Sequence, residues 1–229
     1  LTSIKRLINF LRMDPVIASP PKGTALALID AAIALFGTKG FAATSTREIA
    51  ESAETNVASI SYHFGGKDGL RRACAEEFVR RMHEILGPPV ALEHLSPTEA
   101  ETLLKNLLHV MTVRVLTESS NAMIVNFVIR EITEKSETID IFYNSLIAVA
   151  HKRLSMLWSI ATGARADSPE TALRAFSVIG QVVYFRLGSE IVLRRMGWAE
   201  LGREQAEDIY RVLQGNLDAL LDQARRAAP

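Results

Sequence analysis

Three things are scarce in this chain. It holds one cysteine, Cys74, among 229 residues. No intrachain disulfide can form, which excludes a disulfide-stapled scaffold and fits a reducing, cytoplasmic setting. Cys74 stands in a helical stretch beside Glu76 and Glu77 and reads as a packing residue, not a redox group. An excess of charge is missing too: 26 Lys and Arg balance 26 Asp and Glu. A nucleic-acid surface would therefore have to be a local patch on a neutral protein. Long hydrophobic runs are also absent. The best candidate, 26–36, is interrupted by Asp30 and falls short of the ~18 residues a spanning helix needs. Lys5 and Arg6 precede too few apolar residues for a secretory leader. No membrane partner is expected.

Chemistry-bearing patterns are equally thin. The five histidines show no compact metal-ligand spacing. Gly65-Gly66-Lys67 lacks the earlier glycine of a phosphate loop, and no Cys/His or Ser/His pairing stands out. No metal, cofactor or catalytic residue is expected, so the chain does not read as an enzyme.

What is present is helix. Apolar residues make up 48% and charged residues 23%, ordinary values for a globular chain of one or two domains. Residues 1–21, ending in Pro20-Pro21, are expected to form a flexible arm. Leu28, Ala31, Ala32, Leu35 and Phe36 then mark one helical face, ended by Gly40 in a left-handed cap. Thr46 is the expected N-cap of a second helix with Ile49, Ala50 and Ala53 inward, and Asn56 caps a third over 57–63. A fourth spans 67–86, and Gly87-Pro88-Pro89 is the sharpest break in composition. Ser96-Pro97 with Glu99 opens a capped helix to about residue 117. Further helices are expected over 121–134, 137–161, 168–196 and 203–226.

Residues 46–70 carry the functional signal. Two short helices joined by about three residues allow the first to brace a DNA backbone while the second enters the major groove. The second needs small or polar outer residues, and Val57, Ala58, Ser59 and Ser61 meet that need while Ile60 and Phe64 turn inward. Tyr62, His63, Lys67 and Thr46 are expected within reach of the phosphates that set register, and Arg47 and Asn56 are further DNA-binding candidates. The segment 173–193 is apolar on more than one face and must be buried on both sides. A second subunit would supply the other side, with Gly180 and Gly188 allowing close approach; the alternative is an ordinary core helix covered by its own chain. Leu173, Phe176, Gly180, Tyr184 and Leu187, with Leu213 and Leu217 of the last helix, are the expected dimer interface.

The run Thr46…Ile49-Ala50…Ala53…Tyr62-His63-Phe64…Lys67…Leu70 resembles the signature of the TetR family of transcriptional regulators. NVASISYHFGGKDGL and LRAFSVIGQVVYFRLGSEIVLRRMGW resemble its CecR-like branch. The resemblance implies an all-α protein: a three-helix helix-turn-helix domain over 22–66, joined through a fourth helix to a ligand-binding and dimerisation domain within 67–229. It also implies a homodimer with four helices at its interface, a palindromic double-stranded operator, and repression relieved by a small-molecule effector. Asn126, Arg130, Tyr143, Trp158 and Gln181, polar or aromatic residues on apolar helices, are the effector-binding candidates. His109 and His151 belong to the same group. One position departs from the family pattern: Glu54 stands where a turn glycine is expected, at a cost of roughly 1 kcal/mol. That departure and the neutral charge favour a rival reading, a helical interaction protein that no longer reads DNA. An enzyme built on the C-terminal cavity is opposed by the missing catalytic set.

Overall fold

The computed structural model describes residues 20–86, 92, 94–117, 119–134 and 136–227, with side chains apart from those of 83–86 and 119–125. The expected arm therefore lies almost wholly outside the described residues, as does the Gly87-Pro88-Pro89 break. The described residues form helices and no strand: α1 (Thr24–Lys39), α2 (Thr46–Ser52), α3 (Ala58–Phe64), α4 (Lys67–Leu86), α5 (Pro97–Thr117), α6 (Ser119–Thr133), α7 (Ile139–Phe142), a π-helical turn (Tyr143–Ile147), α8 (Ala148–Thr162), α9 (Pro169–Leu187), α10 (Ser189–Met196) and α11 (Arg203–Ala227).

The chain divides into two compact units, and the division does not follow the order of the sequence. The first holds residues 1–89 and 123–149; the second holds 90–122 and 150–229. Size explains why the first unit reaches past the expected 22–66. So short a segment buries too little apolar surface to stand alone. Its core of Leu28, Ile33, Phe36, Ile49, Ile60, Leu70 and Phe78 is completed by Phe127 of α6 and Phe142 of α7. Phe127 stacks on Phe36 at 6.2 Å and meets Phe142 edge-on at 6.0 Å, while Phe78 meets Phe142 at 5.4 Å. Cys74 is fully buried in the same core and burial holds its thiol well above the usual range, which makes it inert.

Two ion-pair clusters fasten this unit. Arg71 Nε donates to both oxygens of Glu131 at 3.0 and 2.9 Å, and that carboxylate is only 1% exposed. Ser136 and Thr138 donate their hydroxyls to the same carboxylate. Buried Glu77 accepts from Arg80 and Arg81, and Arg81 reaches on to Asp30 of α1.

The second unit packs α5, α8, α9 and α11 around Leu104, Leu108, Leu157, Trp158, Val178, Val182, Leu217 and Leu221. Polar pairs set the register of α5 against α11: Lys105 with Asp218 at 2.8 Å and His109 with Glu207 at 2.9 Å. Two expected helices are interrupted. The expected helix over 137–161 carries the π-helical turn, and the one over 168–196 bends by 72° at Gly188. Gly188 stands at the bend. No single helix among the described residues is long and apolar enough to cross a membrane.

Candidate nucleic-acid interface

The helix-turn-helix is built from caps. Ser45, one residue before the expected Thr46, is the N-cap of α2. Its Oγ accepts from the Glu48 amide at 3.1 Å and the Glu48 carboxylate accepts from the Ser45 amide at 2.8 Å, a reciprocal capping box. The sequence Ser-Thr-Arg-Glu could start at either hydroxyl, and the three-residue spacing to Glu48 selects Ser45. Lys39, at the end of α1, donates to the same carboxylate at 2.6 Å. Lys39 above all, then Ser45, lower the Glu48 pKa to about 2. The stabilisation is therefore complete above the ordinary carboxylate range and is lost as pH falls towards 2. Gly40 ends α1 with positive φ (87°) but an extended ψ of 163°, so it is not the left-handed cap expected there.

The turn after α2 shows how the chain manages without glycine. The Thr55 amide donates to the Ala50 carbonyl at 2.9 Å and the Glu54 amide to that of Glu51 at 3.1 Å, the bond pair of a Schellman turn. Glu54 sits at its left-handed position with φ 51°, the only non-glycine among the described residues with positive φ. The motif survives, and the strain is local. Glu54→Gly is expected to raise the unfolding free energy by about 0.5–1 kcal/mol. Urea denaturation measures it; an unchanged or lower midpoint would show that the turn carries no such strain.

Helix α3 presents a two-sided surface. Ile60 is buried and Phe64 half-buried against the core, whereas Asn56, Val57, Ala58, Ser61, Tyr62 and His63 are exposed. Tyr62 is 85% exposed and touches the edge of His63 at 4.9 Å. Val57, one residue after the expected Asn56, is the N-cap of α3, and Asn56 Oδ1 accepts from the Ala58 amide at 2.9 Å. Ser59 is less open, half-buried with its hydroxyl 3.3 Å from that of Thr55. Gly65 closes α3 in the left-handed conformation. Gly69, which the sequence alone did not single out, lets α4 start against it, because a Cβ there would overlap the Phe64 carbonyl.

The basic groups differ in availability. Arg47 is open, its pair with Glu51 at 3.0 Å lying on the surface where such pairs contribute little. Lys67 is half-buried, donates to the Phe41 carbonyl at 2.5 Å and sits 4.2 Å from the Phe41 ring centre. Burial lowers its pKa. Its ammonium keeps two further donors.

The remaining expected residues scatter. Arg130 is occupied by structure: it donates to the carbonyls of Gly37 and Thr38 at 2.9 and 2.7 Å, satisfying the open end of α1. Asn126 and Tyr143 are exposed on the first unit. Gln181 pairs with Asn216 at 2.6 Å. Trp158 lines a pocket in the second unit with Leu104, Leu108, Met111, Val178 and Val182. Leu173, Phe176, Gly180, Tyr184 and Leu187 form an exposed stripe along α9. Leu213 and Leu217 need correction. At 2% and 1% exposure they belong to the chain's own core, because α5 and α9 already cover that face of α11. The exposed large apolar residue on α11 is Val212.

Comparison with known proteins agrees with this geometry. Residues 28–74 match the family described as bacterial regulatory proteins, tetR family, and 100–223 match the C-terminal domain of the HTH-type transcriptional dual regulator CecR. CecR of Shigella flexneri is 32% identical over 202 residues, 85% of this chain and 89% of that protein. The structure of AibR in complex with isovaleryl coenzyme A and operator DNA is similar with a TM-score of 0.62 at 18% identity, over 84% of this chain and 97% of that one. Salmonella enterica GusR is similar with a TM-score of 0.60 at 16% identity, over 87% and 95%. A helix-turn-helix with an open recognition face, in a chain matched over most of its length, is that of a sequence-specific DNA-binding regulator and not of an enzyme: the protein belongs to the TetR family of transcriptional regulators, in the branch with a CecR-type C-terminal domain.

Proposed function

We propose that the protein is a homodimeric repressor, released from a palindromic operator when a small molecule enters its second unit. The observation that carries the reading is the outer face of α3. Val57, Ala58, Ser61 and Tyr62 are exposed, and their side chains are free of hydrogen bonds to the described chain. Small residues let the helix approach base edges, and Tyr62 at its far end reaches a phosphate. Thr46 and Arg47 at the start of α2, with Lys67 at the start of α4, add the backbone contacts that set register. His63 and Asn56 border the same surface.

Dimerisation rests on α9. Leu173 is 68% exposed, and Phe176, Tyr184 and Leu187 are exposed beside it. Such a contiguous apolar face marks an interaction site. Gly180 lies within it with nothing near its Cβ position, so a partner helix can approach closely. Val212 extends the face onto α11. Two copies related by a twofold axis would set their recognition helices about 34–36 Å apart, one turn of DNA. AibR, solved with both an acyl coenzyme A and operator DNA, supports effector control as a pattern in this fold.

Tyr62→Ala is expected to weaken operator binding at least about tenfold, the loss typical of a charge-assisted contact, while leaving helical content unchanged. Fluorescence anisotropy on the DNA upstream of the gene, against a scrambled duplex, measures it. Equal affinity of the folded wild-type dimer for both duplexes, and for a genome-wide pool of fragments, would overturn the reading.

A further inference from the structure

The second unit holds two buried donors, Trp158 Nε1 and Arg186 Nε, without a partner among the described residues. Trp158 is 1% exposed and its indole Nε1 is buried without an acceptor. Nearly all buried polar groups find partners, so an orphan of this kind calls for one. Its ring lines the apolar pocket with Leu104, Leu108, Met111, Val178 and Val182. Arg186 is the second. It stands one helical turn beyond Val182 and two beyond Val178, on the stripe of α9 that faces this pocket. Its Nε is buried without a partner, and it makes no hydrogen bond or ion pair among the described residues. Burial holds its guanidinium below the usual range.

We propose that the effector is an amphipathic carboxylate whose apolar body fills the pocket among α5, α8 and α9 and whose carboxylate is bound by Arg186. The inference rests on the regulator reading above and names the ligand class of its sensing unit. The pocket wall is apolar, which excludes a ligand with a strongly polar body. A planar guanidinium takes a carboxylate through two parallel bonds, the strongest pairing open to an unpaired arginine. A neutral apolar ligand would leave Arg186 uncompensated. The space now clear among the side chains is no more than a single water needs, so the ligand enters by parting them.

Two tryptophans are present, and Trp198→Phe leaves Trp158 as sole reporter. The full-length variant, without DNA, is titrated with octanoate and separately with octanol, both below micellar concentration. Octanoate is expected to shift Trp158 emission saturably and to bind at least about tenfold more tightly than octanol, as a charge-assisted pair requires. Arg186→Met should abolish that preference, leave octanol binding unchanged and not lower the melting temperature of the ligand-free protein. A structural role for Arg186 predicts the opposite in that last measurement. Equal binding of the two ligands, no octanoate binding, or a preference that survives Arg186→Met overturns the proposal. Operator binding by the same proteins separates the two readings. Octanoate binding without operator release leaves the ligand class standing and sinks release. Specific operator binding without octanoate binding does the reverse.

Discussion

Arg71→Met is expected to destabilise the first unit by about 3–5 kcal/mol, the range for stripping one partner from a buried ion pair. Glu131 is almost wholly buried, and Arg71 supplies two of its bonds. Without the guanidinium the carboxylate stays among Ser136, Thr138 and the aromatic core with its charge unmatched. Arg71 also lies 4.1 Å from the Phe41 ring centre, so the substitution removes a second contact. The double variant Arg71→Met, Glu131→Leu should recover most of the loss, because an apolar pair avoids the desolvation of both charges. Urea denaturation at constant m-value reads both. A loss under about 1 kcal/mol for the single variant would show that water reaches Glu131 and that the pair is a surface one.

Breaking the α9 stripe should abolish high-affinity operator binding while sparing the fold of the chain. Tyr184→Glu with Leu187→Glu places two charges on side chains already exposed to solvent in the single chain. Light scattering is expected to report a halved mass, with helical circular dichroism unchanged. Operator affinity should fall at least about 100-fold, since linked half-sites exceed one by 10²–10⁴. A variant that stays dimeric would place the interface elsewhere. A monomer with undiminished affinity would remove the palindromic site from the proposal.

Much of the first unit was legible because its signals are local. The Ile49, Ala50, Ile60 and Leu70 spacing places four core positions on helical faces without any tertiary knowledge, and all four are buried. The family resemblance places a turn glycine where Glu54 stands, and Glu54 has positive φ there. The Thr46 cap missed by one residue because two adjacent hydroxyls compete, and only the reach of Glu48 and Lys39 decides between them. Gly69 gave no signal, since the crowding it relieves comes from the backbone of another helix.

The sensing candidates fared less well, for the same reason in reverse. Arg130 looked like a polar anchor in an apolar helix, yet its partners are carbonyls more than ninety residues earlier in the chain. Arg186 has the same local appearance, and its buried Nε has no partner among the described residues. Periodicity identified Leu213 and Leu217 as apolar-face residues but could not say which neighbour covers that face. What the sequence by itself determined was most of the helices, the helix-turn-helix and, apart from Ser59, the exposed positions of its second helix, because caps, turns and 3.6-residue spacing act within a few residues. Only the tertiary structure decided that the first unit borrows Phe127 and Phe142 and that α11 turns its leucines inward. It also decided which of two similar arginines is occupied, because burial and partnership depend on segments far apart in the chain meeting in space.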